Sequence, residues 1–224
     1  MIPESVTKIR GYAFYKNQLT GIVIPNTVTE IGKWAFSYNQ LTGIVIPNSV
    51  TKIGERAFSE NQLTAITIPN SVTKIGYGAF ANNQLTAITI PEGVTEICGL
   101  TFYNNQLTTI VIPNTVTEIG IFSFRENRLT KIVIPKSVKV IDKWAFAKNQ
   151  LTDIVIPEGV TQINSDAFTD NQLNSITILG KVSLPRKSKH PYPAFDNGFD
   201  DFYKSSKKKS GTYLFDGTNW SIKK

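Results

Sequence analysis

The pattern I-P-x-x-V-T-x-I-G-x-x-A-F-x-x-N-Q-L-T-x-I-x returns every 22 residues along this chain. Its proline stands at Pro3, Pro25, Pro47, Pro69, Pro91, Pro113, Pro135 and Pro157. Its phenylalanine stands at Phe14, Phe36, Phe58, Phe80, Phe102, Phe124, Phe146 and Phe168. No insertion or deletion interrupts that spacing over eight turns. A fixed period of this size predicts a solenoid, in which each unit buries its apolar side against its neighbours. The period ends near residue 178 of 224, so the expected organisation is a solenoid over 1–178 and a distinct segment over 179–224. The chain opens on Ile2-Pro3, the end of a repeat strand whose beginning is missing. A solenoid end needs a cap, so the sequence suggests a chain without its N-terminal cap, either a fragment or a mature form.

One unit shows how the pattern works. Ile22-Val23-Ile24 is β-branched and has the period of two of a strand, and Pro25 follows it. Proline lacks a donor and suits a strand end. Stacked units would place these strands in parallel about 4.8 Å apart, so that eight span roughly 38 Å. Val28-Thr29-Glu30-Ile31 can form a second short extended piece. Gly32 permits a turn that a Cβ would hinder. Between Gly32 and Asn39 there is room for one or two short helical or 3₁₀ turns. Asn39 belongs to a column with Asn17, Asn61, Asn83, Asn105, Asn127, Asn149 and Asn171. Its amide is expected to satisfy turn backbone of its own and adjacent repeats.

Composition removes several classes. No apolar run reaches the length of a transmembrane helix, and no signal peptide is visible. Cys98 is the only cysteine, which rules out an intrachain disulfide and a multi-cysteine zinc site. It replaces the glycine of Gly32, Gly54, Gly76 and Gly120, so a tolerated small residue is expected there. His190 is the only histidine. There is no P-loop, dinucleotide motif or G-x-S-x-G, and no nucleic-acid-binding motif. The expectation is therefore a non-enzyme without metal or cofactor and without sequence-specific nucleic-acid recognition. Residues 1–178 carry 14 Lys plus Arg against 13 Asp plus Glu, a balance of +1. Residues 179–224 carry 10 against 4, a balance of +6.

The units resemble a known class. Leu63-Thr64-Ala65-Ile66-Thr67-Ile68-Pro69 through Val72, Ile75, Ala79 and Phe80 is similar to the bacterial surface leucine-rich repeat called BspA-like or Treponema-type. The resemblance covers residues 2–178. Many family units have 23 residues and a cysteine before the next strand; these have 22 and an asparagine, which brings them nearer to Gram-positive members. The resemblance implies a curved right-handed leucine-rich repeat solenoid with one parallel β-sheet. It also implies a secreted or surface-attached bacterial or protist protein that adheres to host, matrix or cell-envelope partners, and it supplies no catalytic residues. The segment Gly211-Thr212-Tyr213-Leu214-Phe215 and Trp220-Ser221-Ile222 around Asp216-Gly217 reads as a β-hairpin that caps the last repeat.

Three surfaces are candidates for binding. The first is the expected concave strand face, with Thr64, Thr67, Thr86, Thr89, Thr108, Thr109, Lys131 and Asp153. It is rich in threonine and poor in the Tyr, Trp and Arg of strong interfaces, so it reads as a weak or avid recognition face or simply as strand-forming surface. The second is on the expected convex side, where Leu100, Phe122 and Trp144 are neighbours in the stack, with Tyr103 and Ile121 beside them. They would form an exposed apolar patch or fold over to widen the core. The third is basic: Arg186, Lys187, Lys189, Lys207, Lys208 and Lys209, suited to an anionic polymer or to keeping a loop soluble. The expected partners are an extracellular protein or glycan, with weak anionic-polymer contact, on a monomer or weakly self-associating chain. The alternative is a passive spacer for a domain elsewhere.

Overall fold

The computed structural model describes residues 2–185 and 193–223. The 22-residue units form successive turns of a β-solenoid, and matched columns lie one above another. At each proline corner the carbonyl accepts the N–H of the valine three residues on, as in Val28 to Pro25 at 3.1 Å and Val50 to Pro47 at 3.0 Å. The valine points inward and is buried in every turn after the first. Two-residue strands follow. Lys8–Ile9, Glu30–Ile31, Lys52–Ile53 and Lys74–Ile75 make one parallel ladder, and Glu96–Ile97, Glu118–Ile119, Val140–Ile141 and Gln162–Ile163 make another. Each is in strict 22-residue register, with the isoleucine buried.

Two details differ from the sequence reading. A single sheet on the Ile-x-Ile side was expected, but the more regular ladder is that of the Val-Thr-x-Ile segment. On the Ile-x-Ile side, Ala87–Thr89 pairs with Thr109–Val111, and Asp153–Ile156 pairs with Ser175–Ile178. In the first and second turns Gly21 and Gly43 stand in that segment, and glycine is a poor strand former. The expected helical or 3₁₀ turns are instead pairs of β-turns. Ala35 N–H reaches Gly32 O and Ser37 N–H reaches Trp34 O, both at 3.3 Å. Trp34 and Tyr38 have φ of 58° and 57°. The residue at each of these two columns is left-handed in every turn, which stops a helix before it can propagate. Turns on this side are joined by N–H groups that donate to the following turn, as from Phe36 to Ala57 at 2.8 Å.

The core is a continuous stack. Phe14, Phe36, Phe58, Phe80, Phe102, Phe124, Phe146 and Phe168 lie ring on ring at 5.2–5.7 Å, within the range favoured for offset aromatic pairs. From Phe36 onward each is fully buried. In the first turn Phe14, Leu19 and Ile22 are only half-buried, and with Ile2, Val6 and Ile9 they line an open cavity of about 1550 Å³. The short-strand ladder is interrupted between Lys74–Ile75 and Glu96–Ile97, just before Cys98. The turns there stay joined on the other side, through Gly78 N–H to Gly99 O at 2.9 Å.

Residue 178 ends the 22-residue period, but the stack runs one irregular turn further. Ser183 pairs with Gln162, Phe168 N–H donates to Ala194 O at 2.9 Å, and Phe195 stacks on Phe168 at 4.9 Å. The cap then covers Phe195 with a short helix, Phe199–Ser205, and the hairpin Gly211–Phe215 and Trp220–Ile222 expected from the sequence. Phe199, Tyr203, Tyr213 and Trp220 form its aromatic core. Gly211–Phe215 runs antiparallel to Ser175–Ile178 and covers the last parallel edge. Buried Asp200 ties the cap to the stack by accepting the N–H groups of Ala194 at 2.8 Å and Phe195 at 3.2 Å. Desolvation pushes its carboxyl up to about 6, against the pull of those two bonds.

Candidate binding surfaces

The columns that looked most uniform in sequence are structural. Asn83 shows the pattern: its Oδ1 accepts the N–H of Leu63 at 3.0 Å, and its Nδ2 donates to Phe58 O at 2.9 Å and to Phe80 O at 3.2 Å. Each amide thus bridges its own turn and the preceding one, which assigns the asparagine column to the scaffold. Cys98 is half-buried, with Sγ 3.8 Å from Glu96 Oε1. Burial, and then the Glu96 charge, push its thiol up, which disfavours the reactive thiolate. Among the described residues no group of three His, Cys, Asp or Glu side chains is placed to hold a metal ion. No helix there is long and apolar enough to cross a membrane.

The strand face presents the side chains anticipated for it. Thr64, Thr67, Thr86, Thr89, Thr108, Thr109, Lys131 and Asp153 are all exposed. A column of valines runs beside them, with Val45 and Val133 each 81% exposed and Val23 69%. Alternation explains this: Ile44 and Ile46 turn towards the core, so Val45 turns out.

The opposite, turn-bearing side holds the aromatic residues. Leu100, Tyr103, Ile121, Phe122 and Trp144 are each half-buried. Phe122 stacks on Trp144 at 4.9 Å, and the Arg125 guanidinium lies 5.3 Å from the Phe122 ring centre. They neither enter the core nor stand free. Glu126 is the polar centre of this half. It pairs with Lys148 at 3.1 Å and Arg125 at 3.4 Å, and accepts the Tyr103 hydroxyl at 3.0 Å. Burial raises the Glu126 carboxyl, but those three groups together hold it below the usual range.

Sequence reasoning missed a second cluster on the same side, in the first four turns. Trp34 stacks on Tyr12 and on Tyr38, both at 6.3 Å, and Tyr15 meets all three rings edge-on. Tyr12, Tyr38 and Tyr77 are 50%, 41% and 40% exposed. Lys33 lies over Tyr12, Lys16 over Tyr15 and Tyr38, and Arg56 over Trp34 and Tyr77. The signal was present: Tyr12 and Trp34 precede Ala-Phe, and Lys16 and Tyr38 occupy the column four residues on. Left-handed backbone turns both columns outward.

Of the basic residues, Lys207, Lys208 and Lys209 are exposed. Their backbone is held: Tyr203 donates to Lys208 O and Tyr213 to Lys209 O. Arg186, Lys187 and Lys189 lie outside the described residues.

A stack of short parallel strands and β-turns around a Leu, Ile and Phe core, repeated every 22 residues, defines a leucine-rich repeat protein. The family model for the BspA type leucine rich repeat region matches residues 1–106 and 73–188, and the chain belongs to that family. Among solved structures, a leucine-rich repeat protein from Bacteroides ovatus is 28% identical with a TM-score of 0.63, over 79% of this chain and 54% of that one. A leucine rich cell surface protein from Faecalibacterium prausnitzii is 31% identical with a TM-score of 0.52, over 77% of this chain and 57% of that one. This chain therefore spans little more than half the length of either. No functionally curated protein matches it significantly.

Proposed function

We propose that this chain is a non-catalytic binding module, secreted or displayed on a bacterial cell surface, that adheres to a host, matrix or cell-envelope partner through its repeat surface. The observation that carries this reading is the division of labour within each turn. Ile, Leu, Phe, Pro and Asn columns are consumed by the scaffold, while Thr, Val, Tyr and Lys columns are held outward without a role inside it. Repeating columns suit an extended protein or glycan, since many weak contacts add up along it. The exposed lysines of the cap offer a further contact for an anionic polymer. The description of the F. prausnitzii protein as a cell surface protein supports the location. The uniform Thr and Val of the strand face favour a second reading, a passive spacer. Titration over immobilised matrix and cell-envelope components separates the two. Saturable binding is expected, and its absence across the panel would leave the spacer.

A further inference from the structure

The solenoid repeats its geometry, so one half of the turn-bearing side can be read against the other. In the second half, Glu126 draws together a tyrosine hydroxyl, an arginine and a lysine. The column of Glu126 is occupied in the second turn by Tyr38, and the column of Tyr103 is occupied in the first by Tyr15. Tyr15 and Lys16, both one turn before, gather around Tyr38, whereas Glu126 draws Tyr103 from one turn before and Lys148 from one turn after; the position one turn after Tyr38 is Glu60. Lys33 and Arg56 add two more cations to the same cluster. Among the described residues none of Lys16, Lys33 and Arg56 forms an ion pair, whereas Lys8 and Lys52 pair with Glu30, and Lys136 with Glu158. The nearby acids are Glu55, which is exposed, and Glu60, which accepts the Asn82 amide at 2.5 Å.

Ring orientation narrows the ligand. Tyr12, Trp34 and Tyr38 lie parallel to one another, and each has a cation over its ring. The ring edges, hydroxyls and cationic heads of this cluster all seek negative charge. A sugar ring stacking flat would need the faces. Tyr, Trp and Arg together are the residues of protein interfaces.

We propose that the turn-bearing side of the first four turns, centred on Tyr12, Lys16, Lys33, Trp34, Tyr38 and Arg56, docks an acidic polypeptide segment whose carboxylates take the place that Glu126 fills in the second half. The proposal rests on the reading of the chain as a binding module and specifies the surface and partner chemistry. The test uses poly-L-glutamate as the probe and heparin as the comparator, with the whole chain at low ionic strength. The variant K16E/K33E/R56D uses residues the same columns already carry, namely Glu60 and Glu126, Glu55, and Asp166, so its circular dichroism should match the parent's. Poly-L-glutamate should bind the parent, weaken with added salt, and bind this variant at least about 10-fold more weakly. K207E/K208E/K209E should weaken it clearly less than the first variant does, because the cap lysines offer only a separate, additional contact. The proposal is overturned if poly-L-glutamate does not bind, if the cap variant rather than the first is impaired, or if heparin alone distinguishes the first variant. Capture of a matrix or envelope component undiminished in K16E/K33E/R56D would also overturn it while leaving the binding-module reading in place. A negative panel alongside the expected poly-L-glutamate contrast would remove the adhesion reading and keep this surface.

Discussion

At the scale of single residues, one column contains its own control. Asn83 joins two turns through a buried amide, whereas Asn17 is exposed and donates only to Tyr15 O at 3.2 Å. Asn83→Ala leaves the Leu63 N–H and the carbonyls of Phe58, Phe80 and Ala81 without that amide. The expected cost is about 3 kcal/mol or more, since buried polar groups left unpaired cost roughly 1–3 kcal/mol each. Asn17→Ala should cost less than about 0.5 kcal/mol. Urea midpoints of the two variants decide it, and equal shifts would refute the ladder as a source of stability. Glycine offers a second contrast. A Cβ on Gly54 would lie 2.6 Å from the backbone of Gly32 and Lys33, while one on Gly43 meets nothing within 4 Å. Gly54→Ala should therefore lower stability by about 1–3 kcal/mol, and Gly43→Ala should be neutral or slightly stabilising. Thermal unfolding of both variants measures the difference. Cys98, Asp142 and Asn164 carry a Cβ in the Gly54 column, and the last two keep their N–H bonds to the preceding turn at 2.9 Å, so the turn can adjust where the native residue requires it; Gly120 between them would place a Cβ 2.7 Å from backbone. These roles were legible in sequence because invariance within one chain marks positions where neighbouring copies meet.

At the scale of elements, the cap depends on pH through Asp200. Its carboxyl stands at about 6 in the folded chain against an ordinary 3.8, so between those values the folded state holds the proton more tightly. The contribution of this group is therefore most favourable below about pH 4 and is lost as pH rises through about 6. Near neutrality the cap is weaker by up to about 3 kcal/mol on this account. Burial raises Asp166 and Asp196 in the same sense, so the informative quantity is a difference. Asp200→Asn should flatten the dependence of cap unfolding on pH, followed by Trp220 fluorescence in a background with Trp34 and Trp144 replaced by Phe. A slope identical to the parent's would refute the assignment. The sequence announced the hairpin through Asp216-Gly217, but not the helix Phe199–Ser205, which is too short for a clear period. It also misjudged the turns after Gly32. Most of their left-handed residues are Tyr, Trp, Arg, Leu, Phe, Lys and Glu, which do not signal positive φ, and the Gly78, Asn82, Asn104, Asp166 and Asp170 that do are scattered among them. The column of Tyr12 and Trp34 was legible as convex, but its meeting with the column of Lys16 and Tyr38 was not, because the left-handed backbone brings the two together.

At the scale of the whole molecule, a solenoid is stabilised turn by turn, each one leaning on two neighbours. The two ends of this chain differ. Phe168 is covered by Phe195 and the cap, whereas Phe14 remains half-buried beside an open cavity. The middle differs as well, because the short-strand ladder is interrupted between Ile75 and Glu96. Opening should therefore start in the first turns and proceed inward, rather than occur everywhere at once. Native-state hydrogen exchange should show the backbone N–H groups of Tyr12, Phe14 and Thr29 exchanging fastest. Those of Phe124, Phe146 and Phe168, each bonded to the following turn at 2.8–2.9 Å, should exchange slowest. The Phe80→Ala variant sharpens the test, since it empties the fully buried stack just before the interruption. Loss of a buried phenylalanine costs about 3–5 kcal/mol. If coupling passes only between neighbours, that cost should fall on protection in the first four turns and leave Phe146 and Phe168 within about 1 kcal/mol of the parent. A uniform loss from Tyr12 to Phe168 would mean that the solenoid unfolds as one unit, with the stacked phenylalanines and the asparagine ladder carrying cooperativity across the interrupted strand ladder.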